Sequence, residues 1–181
     1  MSIHCPLFFT GKGDKGKSKV GNKKISKDSL IMETLGELDE LNSLIGLAKN
    51  YLKKYKKDLT EIQNDLFIIQ ANIAWFMYPK FEKPKLKKER IEKMENEIKR
   101  IESKIKPKRS FIIPGSNLES GWFDYLRSKT RTTERKIINF NKKYSLDDKI
   151  LSYLNRLSSY FFALARFIVY NKKIKERSPW Y

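Results

Sequence analysis

Histidine and cysteine are almost absent from this chain of 181 residues, which carries one of each, His4 and Cys5, side by side near its start. A single cysteine excludes an intrachain disulfide and any multi-cysteine zinc site, and it suits a reducing cytoplasm. One histidine beside one cysteine is too small a donor set for a metal, and no metal site is expected there. Long apolar runs are missing too. Nothing approaches the roughly 20 residues that span a bilayer, and MSIHCPLFF lacks the basic start and long apolar middle of a secretion signal. These absences predict a soluble, unprocessed, cytoplasmic protein with no membrane partner. Acid is scarce beside base, 21 Asp and Glu against 39 Lys and Arg, for a formal net charge of +18. That balance favours anionic partners without naming one. Much of the lysine sits in YLKKYKKD, KPKLKKER and NKKIKER, where solvation alone accounts for it. Zinc-finger spacing, RNP-like strands and a basic region leading into heptads are all lacking, which leaves a nucleic-acid binder as the weaker alternative.

What is present is helical periodicity, and almost nothing reads as a strand. Leu38, Leu41, Ile45, Ala48 and Leu52 step by three and four, predicting a first helix that begins near Asp28 or Ser29. Leu59, Ile62, Leu66, Ile69, Ile73 and Phe76 mark a second, started by Asp58 or Thr60 and ended before Pro79. Ile91, Met94, Ile98, Ile101 and Ile105 form a narrower stripe between Pro84 and Pro107, which predicts a peripheral third helix. A fourth starts near Asn117, and Leu151, Leu154, Ser158, Phe161, Ala165 and Ile168 define a fifth. The expectation is an all-α five-helix bundle in one domain, residues 1–181. Within it, 1–27 is an irregular Gly/Lys-rich loop region, 28–172 the bundle and 173–181 a tail.

Two stretches carry candidate chemistry. In the fourth helix Arg127, Arg131, Glu134 and Arg135 fall at i, i+4, i+7 and i+8, so they project from one side, with Asp124 one turn earlier. The neighbouring face, Phe123, Leu126, Thr130, Thr133, Ile137 and Phe140, reads as core. An arginine row at the edge of a buried face suits phosphate or carboxylate, and its spacing equally suits ion pairs between helices. The second stretch is FFTGKGDKGKSKVGNKKISK. Glycines at 11, 13, 16 and 21 allow backbone amides to turn inward, while Lys12, Lys15, Lys17 and Lys27 add charge and Thr10 and Ser18 hydroxyls. It lacks the GxxxxGK[ST] of a P-loop. Alone, it reads as well as a flexible basic tail.

Together the blocks resemble the PduO-type ATP:cob(I)alamin adenosyltransferases, the family that includes the human mitochondrial enzyme. TGKGDKGKS stands beside the family's TKTGDxGxT, ETLGELDELNSLIGLA beside EAYGxVDELNSxIGLA, and EIQNDLFIIQANIA beside LQNDLFxLGAxLA. FIIPGSNLESGWFDYLRSKTRTTER stands beside FxLPGGSxxAAxLHxARTxxRRAER, and LNRLSSYFFALAR beside LNRLSDxLFxLAR. The matches run in family order from Phe9 to Arg166.

The resemblance implies a homotrimer with ATP and the corrinoid bound where subunits meet, and transfer of the adenosyl group of ATP to cob(I)alamin with Mg²⁺ present. It places ATP contacts on Thr10, Gly11, Lys12, Gly13, Ser18, Lys27, Arg131, Thr132, Thr133, Glu134, Arg135 and Asn155. It also implies that Arg127 pairs with Asp39, that these two and Arg131 serve catalysis, and that Phe111 lies against the lower face of the corrin ring. A corrinoid reductase or a cobalamin-dependent acceptor enzyme would be the protein partners. Departures from the pattern fall at Gly11 and Lys12, at Asp124 in place of a histidine, at Ser116 and Thr132, and at Ser159 in place of an aspartate. They keep open a diverged, non-catalytic regulatory protein that binds ATP or another polyphosphate.

Overall fold

The computed structural model describes residues 8–9, 11, 13–20, 23–107 and 110–180. His4, Cys5, Thr10 and Lys12 lie outside them. Two short strands, β1 (Lys17–Val20) and β2 (Lys23–Ser26), precede five α-helices: α1 (Leu30–Ala48), α2 (Lys56–Ala74), α3 (Lys88–Ile105), α4 (Leu118–Asn141) and α5 (Asp148–Asn171). No described helix is long and apolar enough to cross a membrane.

The hairpin corrects the expectation of an irregular N-terminal loop. β1 and β2 pair antiparallel with Lys19 opposite Lys24 and Ser18 opposite Ile25. Val20 and Ile25 are partly buried and pack against the core. Two apolar residues among so many lysines were too weak a period-two signal to read as strands.

Helix ends follow local chemistry closely where a capping residue exists. Asn117 caps α4 through a reciprocal box: its Oδ1 accepts from the Ser120 amide at 2.9 Å, while Ser120 Oγ accepts from the Asn117 amide at 3.1 Å. Asp147 caps α5 by accepting from the Lys149 amide. Ser29 stands at the N-cap of α1, but its hydroxyl donates back to the Ser26 carbonyl instead. α2 begins at Lys56, behind a 3₁₀ turn over Lys53–Tyr55, rather than at Asp58 or Thr60. Phe76 lies beyond the end of α2 yet still packs, edge-on against Phe140 with ring centroids 5.8 Å apart.

α5 is the axis of the bundle. Fourteen of its 24 residues are buried, because it packs along its length against both α4 and α3. α1 closes the far side of α4, and α2 packs on α1. α3 buries only Ile91, Met94 and Ile101, in keeping with a peripheral helix. Its other attachment is electrostatic: Arg90 Nε donates to Asp65 Oδ1 at 2.9 Å and Arg90 Nη1 to Glu61 Oε2 at 3.1 Å, with Lys93 on Glu61 at 2.7 Å. Tyr153 of α5 completes the cluster by donating to Asp65.

Phe140 is fully buried in an aromatic group with Phe76 and Tyr144, the latter stacked at 4.6 Å. Truncating it leaves a cavity that the neighbouring rings cannot close. Phe140→Ala should therefore lower unfolding stability by about 3–5 kcal/mol in a urea titration, with helical content at zero denaturant unchanged.

Candidate active site

The cations of α4 divide into two sets. Lys129 and Lys136, seven residues apart, point at α1. Lys129 Nζ lies 2.7 Å from both Glu37 Oε2 and Glu40 Oε2, and Lys136 pairs with Glu33. Burial works to lower the Lys129 ammonium, but its two carboxylate partners leave it raised overall. Thr133 lies in the same seam: fully buried, it donates to the Lys129 carbonyl at 3.1 Å.

The arginines occupy the other set. Among the described residues Arg127, Arg131 and Arg135 have no acidic partner within the chain. Arg127 lies over the Phe162 ring, 5.2 Å from its centroid, and Arg166 sits 5.1 Å from the same centroid. Arg135 donates to Thr132 Oγ1 at 3.1 Å. Glu134 and Asn155 are brought together, Asn155 Nδ2 donating to Glu134 Oε1 at 3.0 Å. Arg156 then holds the other end of the amide and pairs with Glu95.

Two clefts meet at this face. One, of about 280 Å³, is lined by Arg127, Arg131, Ser158, Ser159 and Phe162. The other, of about 740 Å³, is lined by Phe111, Ile112, Phe162, Tyr170 and the tail residues Ile174, Glu176 and Ser178. Phe162, Arg166, Ile105 and Pro107 line both, so they form one groove. Phe111 stands 76% exposed at its apolar end, beside Ile112 and Tyr170 in the lining of the same cleft.

Arg166 and Asp124 fix the wall of this groove. Arg166, 4% exposed, places Nη2 at 2.9 Å from Asp124 Oδ1 and 2.8 Å from Oδ2. Its Nη1 stands 2.7 Å from Glu176 Oε1, too poorly aligned for a hydrogen bond but close enough to pair by charge. Burial pushes the Glu176 carboxyl up, with Arg166 opposing and Asp124 adding to the rise. Asp124 Oδ2 also accepts from the Gly115 amide at 2.9 Å. Asp124, read above as a charged neighbour of the arginine row and as the loss of a histidine, is thus the anchor of an ion pair. Phe162, Arg166 and Glu176 were not singled out in the sequence. Arg166 lay inside a matched block, but its partner is 42 residues away and nothing local points to it.

The N-terminal loop is ordered differently. Gly11 and Gly16 adopt positive φ of 64° and 71°. The Lys27 side chain lies over Gly13, where a Cβ would come within 3.1 Å of its Nζ, and the Lys27 amide donates to the Gly16 carbonyl. Ser18 is half-buried on β1. No described hydrogen bond or ion pair joins this loop to the arginine row. Asp39 is exposed on α1 and does not meet Arg127 within the chain. No group of three or more His, Cys, Asp or Glu among the described residues is placed to hold a metal ion.

Gly115 has φ of +86°, and a Cβ there would meet nothing within 4 Å. Its cost in Gly115→Ala is therefore backbone strain alone, and a loss of about 1–2 kcal/mol is expected in a urea titration.

Comparison with known proteins gives this arrangement its relatives. A family model described as Cobalamin adenosyltransferase matches residues 8–168. The corrinoid adenosyltransferase of Bacillus subtilis (strain 168) is 33% identical over 167 residues, covering 89% of this chain and 86% of that one. A corrinoid adenosyltransferase of Citrobacter freundii is 32% identical over 163 residues, covering 88% and 93%. Among solved structures, a phenylalanine-to-alanine variant of a PduO-type ATP:corrinoid adenosyltransferase from Lactobacillus reuteri, complexed with cobalamin and ATP, superposes with a TM-score of 0.87. It is 26% identical and covers 95% of this chain and 98% of that one. The helical order, the groove beside the arginine row and these similarities have one reading: the chain belongs to the cobalamin adenosyltransferase family.

Proposed function

We propose that the chain transfers the 5′-deoxyadenosyl group of ATP to the cobalt of cob(I)alamin, forming adenosylcobalamin and triphosphate, in a site completed by a neighbouring copy in a homotrimer. The observation that carries it is the row Arg127, Arg131 and Arg135, without acidic partners among the described residues, whose first two members line a groove with the exposed ring of Phe111 at its far end. One half suits a polyphosphate and the other an apolar face.

In the reaction the electron pair of the reduced cobalt forms a bond to C5′ of ATP. The bond from C5′ to its phosphate oxygen breaks, and its electron pair leaves with triphosphate. That leaving group is already a stabilised anion, so little acid or base is required. The protein must align nucleophile and leaving oxygen and neutralise charge on the phosphates. Arg131 and Arg135 serve the phosphates, Glu134 and Asn155 hold each other at the rim, and Lys27 over Gly13 brings a cation to the glycine loop. Thr10, Gly11, Lys12 and Ser18 complete that loop. Thr132 stands beside Arg135 on the phosphate side, while Thr133 contributes through the placement of α4, since it is packed against α1. Mg²⁺ would take its ligands mainly from phosphate oxygens and water. Phe111 would lie against the lower face of the corrin ring, in the place of the lower axial ligand.

The homotrimer rests on two separated halves. Among the described residues no hydrogen bond or ion pair joins the loop to the arginine row within one chain, and neither Asp39 nor Arg127 has an ionic partner there. Contact between copies would join both, Arg127 of one chain pairing with Asp39 of the next. Light scattering on the purified protein should give three chains per particle. A monomer that turns over at full rate would remove the shared site.

The direct test is anaerobic. Protein, ATP, Mg²⁺ and chemically reduced cobalamin should yield adenosylcobalamin with one triphosphate per product. Arg131→Ala should lower kcat by at least on the order of 100-fold, with an unchanged helical circular dichroism spectrum. ATP binding without triphosphate release in the unaltered protein would replace the enzyme with a nucleotide-binding regulator.

A further inference from the structure

Phe111 sits in a segment with very few fixed points. Ahead of the α4 cap, two described hydrogen bonds hold the backbone of 110–116: the Ile113 amide to the Arg177 carbonyl at 2.9 Å, and the Gly115 amide to Asp124 Oδ2 at 2.9 Å. Both lead to the same side chain. Asp124 binds Gly115 directly. It also fixes Arg166, whose second nitrogen holds Glu176, the residue before Arg177. The contacts close a ring: Asp124, Arg166, Glu176, Arg177, Ile113, Gly115 and back to Asp124. At one corner Gly115 takes a φ of +86°, which a side chain would strain.

We propose that Asp124 is a positioning residue for the corrinoid side of the groove, setting Phe111 through the Gly115 turn and, by way of Arg166, docking the C-terminal tail as the opposite wall. The inference deepens the adenosyltransferase reading and rests on it. Asp124 does not touch the reacting atoms. It neutralises a guanidinium that is 4% exposed, and without it that guanidinium is held by Glu176 alone and is drawn toward the tail. That shift displaces Glu176, while the Gly115 amide loses its acceptor outright. The tail then loses its pairing to Ile113, and both walls of the larger cleft loosen. The arginine row is held by other contacts, Phe162 under Arg127 and Thr132 beside Arg135, so the ATP side should be spared.

The first readout uses the protein alone. In Asp124→Ala, amide hydrogen exchange at Ile113 and Gly115 should accelerate by on the order of 10-fold or more, with exchange in the middle of α1 and α2 unchanged. The second is kinetic. Turnover with cob(I)alamin should fall by on the order of 10- to 100-fold while KM for ATP stays within about twofold. Adding Phe111→Ala should then cost little more, because the ring is already misplaced. Unchanged exchange at 113 and 115, fully additive losses, or a KM for ATP that rises in step with the fall in kcat would each overturn the proposal. Should the alanine variant fail to fold, Asp124→Asn keeps the shape and an acceptor for Gly115 but removes the charge facing Arg166. The same coupling to Phe111 is expected there, and its absence overturns the proposal equally. An unaltered protein that forms no adenosylcobalamin would end the adenosyltransferase reading, while the exchange measurement still decides whether Asp124 anchors the turn.

Discussion

Arg166 places a full positive charge inside the central helix of the bundle, and most of the groove depends on how that charge is held. Breaking a buried ion pair by removing one partner costs about 3–5 kcal/mol, because the other is left uncompensated. Asp124 and Glu176 answer it from two directions, one on α4 and one on the tail. The pairing therefore ties the C-terminal tail to α4 and α5, which are already packed along their length. With the guanidinium fixed, it also lies 5.1 Å from the centre of the Phe162 ring, which Arg127 approaches to 5.2 Å. A structural ion pair and the floor of the groove are thus built from the same side chain.

The net charge of +18 has a simple local organisation. Facing α1, the lysines of α4 find carboxylates and act as seams. Facing the groove, the arginines find aromatic rings and hydroxyls, which leave their charge uncancelled. Guanidinium suits this second task because it stacks and still presents several donors in one plane. Lysines elsewhere, on α3 for example, are used in exposed or half-exposed pairs such as Lys88 with Glu92, which contribute little to stability. Total charge alone pointed equally to nucleic acid. Its distribution is what separates the two surfaces.

Much of this was legible in the chain. The stripe from Phe123 to Phe140 is buried as its spacing required, and Asn117 marked the start of α4 because Ser120 answers it three residues on. α2 resisted the same treatment: KKYKK offers no capping side chain, so its first turn is set by the preceding 3₁₀ segment. α5 showed one stripe in sequence but is buried all round over residues 163–169, where small residues such as Ala163 and Ala165 let its neighbours approach. Within the site, the arginine row could be read from its period. The Asp124 pairing could not, because periodicity reports which face a residue occupies and never what stands across from it. Asp39 illustrates the same limit, being placed on an exposed face without a partner of its own chain.

The hairpin before α1 carries its own instability. With Lys19 directly opposite Lys24, and Lys17 on the same face, three ammonium groups share one side of a strand pair only four residues long. Like charges set across from each other weaken such a pair, and Val20 and Ile25 on the other face give it a modest apolar footing. Its order is consequently a function of what ions surround it. Dilute buffer works to splay the two strands, whereas a multivalent anion lying along the lysine face would act as a clasp, so that filling the site and finishing the fold of this segment become a single event.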